Sequence, residues 1–197
     1  MEAKRAPEET PVDPQVIAVY KQGMAALRKI RVPFALIGGV ALEAYGARRR
    51  TTDVDFMLFC APRTWEEVVR RDALGGLFRD SEWQAQHPEA AGLVVRFRGG
   101  DVPVDFLRPR DEHEEGLRTR RRTGSIAGRR CMLLPPEDYI LLKLKAQRDH
   151  DFADAIRIVR AHLDRLDYAY LRGWSIKLGV FEELQYVVVQ AERTPSG

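Results

Sequence analysis

Only two cysteines, Cys60 and Cys131, occur among the 197 residues, too few for a disulfide framework and, by themselves, for a zinc site. No run of eighteen apolar residues is present, which excludes a membrane-spanning helix. The opening MEAKRAPEETPVDP has no apolar stretch behind its basic residues, so no signal peptide is expected and a cytoplasmic protein is the default. Four histidines, His87, His113, His150 and His162, fall in no H-E-x-x-H or comparable ligand spacing. Also absent are a G-x-S-x-G nucleophile elbow, a G-x-G-x-x-G turn and a G-x-x-x-x-G-K-[ST] loop. Lysine is scarce. Arginine supplies most of the 32 cations, set against 29 acids, and the net charge of +3 is too small to name a partner.

What is present is uneven. Arginines gather at Arg48, Arg49 and Arg50, and again at Arg118, Arg120, Arg121, Arg122, Arg129 and Arg130. Such clusters suit bidentate contacts to phosphate, and each is equally readable as a solvated surface.

Apolar residues at Ile17, Tyr20, Met24, Leu27 and Ile30 predict a helix from about Pro14 to Ile30, ended by Pro33. FALI (34–37) reads as a short buried strand, Gly38-Gly39 as its punctuation, and VALEAY (40–45) as a short helix closed by Gly46. DVDFMLF (53–59) alternates and then turns wholly apolar, as a strand does. TWEEVVRRDALGGL (64–77) reads as a helix stopped by its glycine pair. LVVRFR (93–98) and VPVDFL (102–107) flank Gly99-Gly100-Asp101 as a β-hairpin. Residues 111–123 read as a charged helix or a loop, and CMLL (131–134) as another strand. Beyond Pro135-Pro136 the pattern is helical: one helix carrying Tyr139 to Gln147, a second capped by Asp149 or Asp151 and running to about Leu163, a third over 168–174 and a fourth over 180–191. The expected architecture is α+β, with a mixed sheet of four to five strands over residues 14–134 and a helical region over 135–197.

Asp53 and Asp55 carry the strongest local signal. At i and i+2 of a strand they share a face, about 7 Å apart at their Cα atoms. Like charges held side by side call for a cation, and oxygen-only ligation suits Mg²⁺ or Mn²⁺, as a pair of ions. Asp105, set among apolar neighbours in VPVDFL, either completes a cradle of three carboxylates or pairs with an arginine such as Arg96 or Arg108. The cradle requires its strand to lie beside 53–59. Trp65, Trp83 and Trp174 read as packing residues, with a substrate role left open for Trp83 in its acidic segment, and the apolar run Tyr186 to Val189 as a core or oligomer face.

Taken together, GGVALEAYGARRRTTDVDF (38–56) and VPVDF (102–106) resemble the nucleotidyltransferases of the DNA polymerase β superfamily, in which a glycine turn and helix lead into a D-x-D strand and a third Asp follows on a later strand. LKLKAQRDHDFADA (142–155) is similar to a helix of the abortive-infection (AbiEii-type) toxins. The resemblance covers roughly residues 16–163. It implies a polymerase β-like core followed by a C-terminal helical bundle. It also implies Gly38 and Gly39 as the turn against a triphosphate, and Asp53, Asp55 and Asp105 as ligands of two catalytic metal ions. Lys143 becomes a phosphate-binding lysine, with Lys145 as its competitor and Arg148 assisting. Asp151 and Asp154 orient those cations. Many members carry Ser after the first glycine; this chain has Gly39 and Val40, so that contact falls to the backbone or to the segment from Arg48 to Thr52.

The implied reaction moves a nucleoside monophosphate from an NTP such as ATP to an acceptor hydroxyl, with pyrophosphate released. RNA, tRNA or protein would be the acceptor in a toxin-like setting with an antitoxin partner. A small-molecule antibiotic acceptor is the alternative. A different class of reading is a catalytically silent module of the same fold that docks nucleic acid or a partner protein.

Overall fold

The computed structural model describes residues 12–47 and 49–193. Of these, Val12–Ala44 and Arg50–Leu134 form one compact unit, and Tyr45–Arg49 with the chain from Pro135 onward forms another.

The first unit starts with α1 (Pro14–Lys29). The Asp13 side chain accepts a hydrogen bond from the Gln15 amide at 2.7 Å, and Pro14 fills a first-turn position that needs no N–H. Its buried stripe of Val16, Val19, Tyr20, Met24 and Leu27 lies against a sheet. A Cβ at Gly23 would stand 2.8 Å from the Phe56 ring, so only glycine lets helix and sheet approach this closely.

The strands are β1 (Phe34–Ile37), β2 (Val54–Leu58), β3 (Ala73–Leu74), β4 (Leu77–Arg79), β5 (Val94–Gly99) and β6 (Val102–Leu107). Their order across the sheet is β1-β2-β6-β5-β4-β3. The pairing of β2 with β6 is parallel and the others are antiparallel, making a mixed sheet. Gly38 leads into a short helical stretch, α2 (Gly38–Ala41), continued as a 3-10 turn over Leu42–Tyr45. The remaining helices of this unit are α3 (Pro62–Val69), α4 (Ser81–Gln86) and α5 (Glu112–Arg120). A separate two-stranded ribbon pairs β7 (Arg122–Ile126) with β8 (Arg129–Leu133).

Three expectations change. The helix expected over 64–77 stops at Val69, because Gly75 and Gly76 both take positive φ (61° and 88°) and turn β3 back onto β4. The main sheet therefore has six strands rather than four to five. The stretch 111–123 holds helix α5 and then the start of β7, whose turn uses Ala127 and Gly128 at φ 47° and 72°. Finally, neither Asp149 nor Asp151 caps the second C-terminal helix; its N-cap is Arg148, without a side-chain cap bond.

The helical unit comprises α6 (Pro136–Ala146), α7 (Asp149–His162), α8 (Tyr168–Leu178) and α9 (Phe181–Arg193). Left-handed Gln147 ends α6 and left-handed Gly179 ends α8, where the Val180 amide reaches back to the Ser175 carbonyl at 2.9 Å. Asp167 caps α8 by accepting from the Tyr170 amide, and its own amide donates to Glu137. The Tyr170 hydroxyl donates to the buried Asp138 carboxylate. No helix is long and apolar enough to cross a membrane among the described residues.

Phe56 is the centre of the first unit's core, fully buried and in ring contact with Tyr20, Phe34 and Phe106. Phe56→Ala is expected to cost about 3–5 kcal/mol in a urea titration followed by circular dichroism. A loss below about 1 kcal/mol would show that the Phe56 ring is not packed in the core.

Candidate active site

The parallel register of β2 on β6 sets Asp55 directly beside Asp105, the adjacency that the cradle required. Asp53 immediately precedes β2, and Asp53 and Asp55 are both half-buried. On the other side of β2, Ile37 pairs with Asp55, so the chain leaves β1 into the Gly38-Gly39 turn at the level of the carboxylates. A Cβ on Gly38 would fall 1.8 Å from Asp55 Oδ2, and one on Gly39 would fall 2.2 Å from Thr51 Oγ1. Gly38 also has φ +66°, the left-handed region. Both glycines are therefore dictated by close approach, and Gly38 by its backbone angle as well. Thr51, buried, donates its hydroxyl to Asp53 Oδ1 at 2.8 Å. Thr52 is exposed, so the hydroxyl that orients a site carboxylate is one residue earlier than the expected one. Arg48 lies outside the described residues.

Asp105 meets an arginine as well as a carboxylate. Arg96, its cross-strand partner on β5, donates Nε to Oδ1 and Nη2 to Oδ2, both at 2.7 Å. Asp105 above all, with Asp53 and Asp55 adding, holds the Arg96 guanidinium above its ordinary pKa. Arg96 is thus the local counter-charge to all three carboxylates. The indole of Trp83 on α4 lies 4.1 Å from the guanidinium carbon, and the His87 ring stacks on the same indole at 4.3 Å between centroids. α4 is fixed in turn by Asp80, which accepts from the Trp83 amide at 3.0 Å and from Arg98 Nε at 2.6 Å. Burial pushes the Asp80 carboxyl up, but those two bonds outweigh it and leave it below the ordinary aspartate value. The packing reading of Trp83 thus understated it: the side chain backs the site's arginine. Among the described residues no group of three or more His, Cys, Asp or Glu side chains stands in metal-binding geometry, and Arg96 engages both oxygens of Asp105.

The helical unit has its own charged cluster. Lys143 is buried, and its ammonium donates to Asp151 Oδ1 at 2.8 Å and Asp154 Oδ2 at 2.9 Å. Arg148 Nε donates to Asp151 Oδ2 at 2.6 Å, Arg49 Nε reaches Asp154 Oδ2 at 3.1 Å, and Arg157 Nη1 reaches Asp154 Oδ1 at 3.3 Å. Two fully buried carboxylates therefore organise four cations. Burial raises the Asp151 pKa, but hydrogen bonds from Arg148 and Lys143 win and hold the group below its ordinary value. The spacing of Asp151 and Asp154 on one helix face was readable from sequence; the reach of Arg49 across 105 positions was not.

Residues 17–190 match a protein family described as nucleotidyl transferase of unknown function (DUF2204). No curated protein sequence matches. Among solved structures, an antigenic nucleotidyltransferase-like protein from Paracoccidioides brasiliensis superposes with a TM-score of 0.52 at 16% identity, over 92% of this chain and 95% of that one. The antibiotic-resistance factor ANT(2'')-Ia gives 0.50 at 18% identity over 87% and 97%, and the lincomycin-bound lincosamide antibiotic adenylyltransferase LnuA gives 0.50 at 10% over 76% and 98%. At these identities the likeness speaks to the fold.

Lys143→Ala leaves two buried carboxylates short of a partner. It is expected to destabilise the protein by about 3 kcal/mol, at the low end for a broken buried pair because three arginines remain. Since the Asp151 pKa is depressed on folding, its stabilisation is present above the ordinary aspartate pKa of about 4 and is lost as pH falls through the depressed folded value. Thermal melts between neutral pH and about pH 2 should show that acid loss, and Asp151→Asn should blunt it. A parent whose melting temperature is flat across this range would contradict the assignment.

Proposed function

The chain belongs to the nucleotidyl transferase family that its sequence matches, and from that membership we propose a metal-dependent transfer of a nucleoside monophosphate from an NTP to an acceptor hydroxyl. The single observation that carries the reading is the β2–β6 register, which stands Asp55 beside Asp105 against the Gly38-Gly39 turn. In the reaction the acceptor oxygen bonds to the α-phosphorus, the bond from that phosphorus to the β-phosphate oxygen breaks, and pyrophosphate leaves. The acceptor is a hydroxyl of RNA, tRNA or protein, in a toxin-like reaction that an antitoxin partner would restrain.

Asp53, Asp55 and Asp105 offer oxygen donors alone, and Asp53 and Asp55 stay half-exposed, which fits Mg²⁺ or Mn²⁺. Asp53, Asp55 and Asp105 would hold divalent ions there, which would supply charge neutralisation and Lewis acidity for the transfer. Everything else is assigned to the chain's own side chains. Thr51 aims Asp53. The Gly38-Gly39 turn offers backbone without side chains in the way of a triphosphate. Arg96 fixes the plane of Asp105 and offsets part of the charge of the three acids. Asp105, once one of its oxygens is free of Arg96, accepts the proton of the acceptor hydroxyl. Lys143, with Arg148 beside it on Asp151, takes the phosphate-binding role. Arg48 and Thr52 remain candidates for the contact that a serine makes in related chains.

The rival of another class is a silent binding module. The three carboxylates and the side chains that aim them speak against it, because nothing in the packing requires three acids side by side. Asp55→Asn is expected to abolish Mg²⁺- or Mn²⁺-dependent turnover of NTP, a drop of about 10³-fold or more, while the melting temperature is kept or raised as like-charge repulsion is relieved. Turnover equal to that of the parent would overturn the assignment. Nucleotide binding indifferent to divalent ions in the parent would point to the silent module.

A further inference from the structure

A cavity of about 590 Å³ opens in the first unit between the end of α1, the start of β1 and the β7–β8 ribbon. Its lining includes Arg28, Arg31, Arg121 and Arg130 together with Phe34 and Met132. Along β1, Phe34 lies three residues before Ile37, the partner of Asp55, so the cavity mouth and the carboxylates are about 10 Å apart on that strand.

Two of the four guanidiniums are held by neutral backbone carbonyls. Arg28 Nη2 donates to the Arg130 carbonyl at 2.5 Å. Arg121 Nη1 donates to the Phe34 carbonyl at 2.9 Å and its Nε to the Arg118 carbonyl at 2.8 Å. None of the four is ion-paired with a carboxylate among the described residues. Two of the guanidiniums are thus fixed in place, while no carboxylate among the described residues pairs with any of the four. Burial and the neighbouring Arg118 both disfavour charge on Arg121, so an anion there relieves an existing strain. Arg31 adds to this. It takes φ +56° just beyond α1, a position where glycine is the unstrained choice.

We propose that this cavity is a binding site for phosphate groups, those of a nucleotide or of a nucleic-acid strand, separate from the carboxylate site. Four arginine forks exceed what a single carboxylate needs and match the several charged oxygens of phosphate bidentately. The apolar lining residues Phe34 and Met132 accept the uncharged remainder of the ligand. The cavity volume lies in the range of small-molecule sites. The proposal stands whether or not the carboxylates transfer nucleotides.

The test uses the full chain, a labelled short oligouridylate and labelled ADP, with anisotropy read across a salt series. The double variant Arg31→Glu/Arg130→Glu alters two exposed side chains whose hydrogen bonds hold nothing else in place. It should weaken at least one probe about tenfold or more, and for the oligouridylate should flatten the slope of log K against log salt by about 1.4. Loss confined to the oligouridylate identifies a strand as the ligand, and loss confined to ADP identifies a free nucleotide. Both probes are read with EDTA present, so that nucleotide held through divalent ions at the carboxylates does not enter the signal, which separates this site from the reaction centre. Should the charge reversal unfold the chain, Arg31→Gln/Arg130→Gln reads the same loss. Equal binding of both probes by parent and folded variant, or no binding of either by the parent, overturns the proposal.

Discussion

The parallel pairing of β2 with β6 is the constraint on which the first unit depends. In register, it forces two carboxylates to be neighbours across strands, with a third two residues upstream of Asp55. Such an arrangement repels itself unless a cation answers it. The fold answers from the next strand, where Arg96 falls opposite Asp105 and forms a two-bonded fork. The edge of the sheet then makes room on the other side, where Gly38 carries no Cβ because Asp55 Oδ2 occupies the space a Cβ would need. Thr51, Gly39, Asp80 and Trp83 are all arranged around holding those few charges still.

The helical unit solves a related problem in reverse. Here two acids are buried completely and four cations gather on them, so positive charge is in excess. Arginine suits both situations because its fork can bind one carboxylate while its stem lies along apolar surface. The scarcity of lysine in the sequence follows the same logic. Lys143, one of the few, takes the single position where a compact ammonium must reach two carboxylates at once.

Much of this was legible beforehand for identifiable reasons. Asp53 and Asp55 alternate with apolar Val54 and Phe56, so a strand with one charged face was readable from period alone. Gly38-Gly39 after an apolar run announced a turn. The β5–β6 hairpin was announced by Gly99-Gly100-Asp101. What period could not give was pairing between distant segments. Nothing in VPVDFL says that it lies beside DVDFMLF, and Arg96 and Arg108 were equal partners for Asp105 until β5 and β6 were set in register. The hairpin inside 64–77 escaped because strands of two and three residues are too short to show alternation. Thr51 and Thr52 could not be told apart without knowing which one faces Gly39.

The stacking of Trp83 on Arg96 has an optical consequence. An indole held 4.1 Å from a guanidinium that is itself clamped on a site carboxylate experiences any change in that cation's position as a change in local electric field. Only two other tryptophans, Trp65 and Trp174, share the chain. The molecule therefore carries its own chromophore beside the carboxylate cluster, and a displacement of Arg96 there is expected to register in the ultraviolet emission of the unlabelled protein.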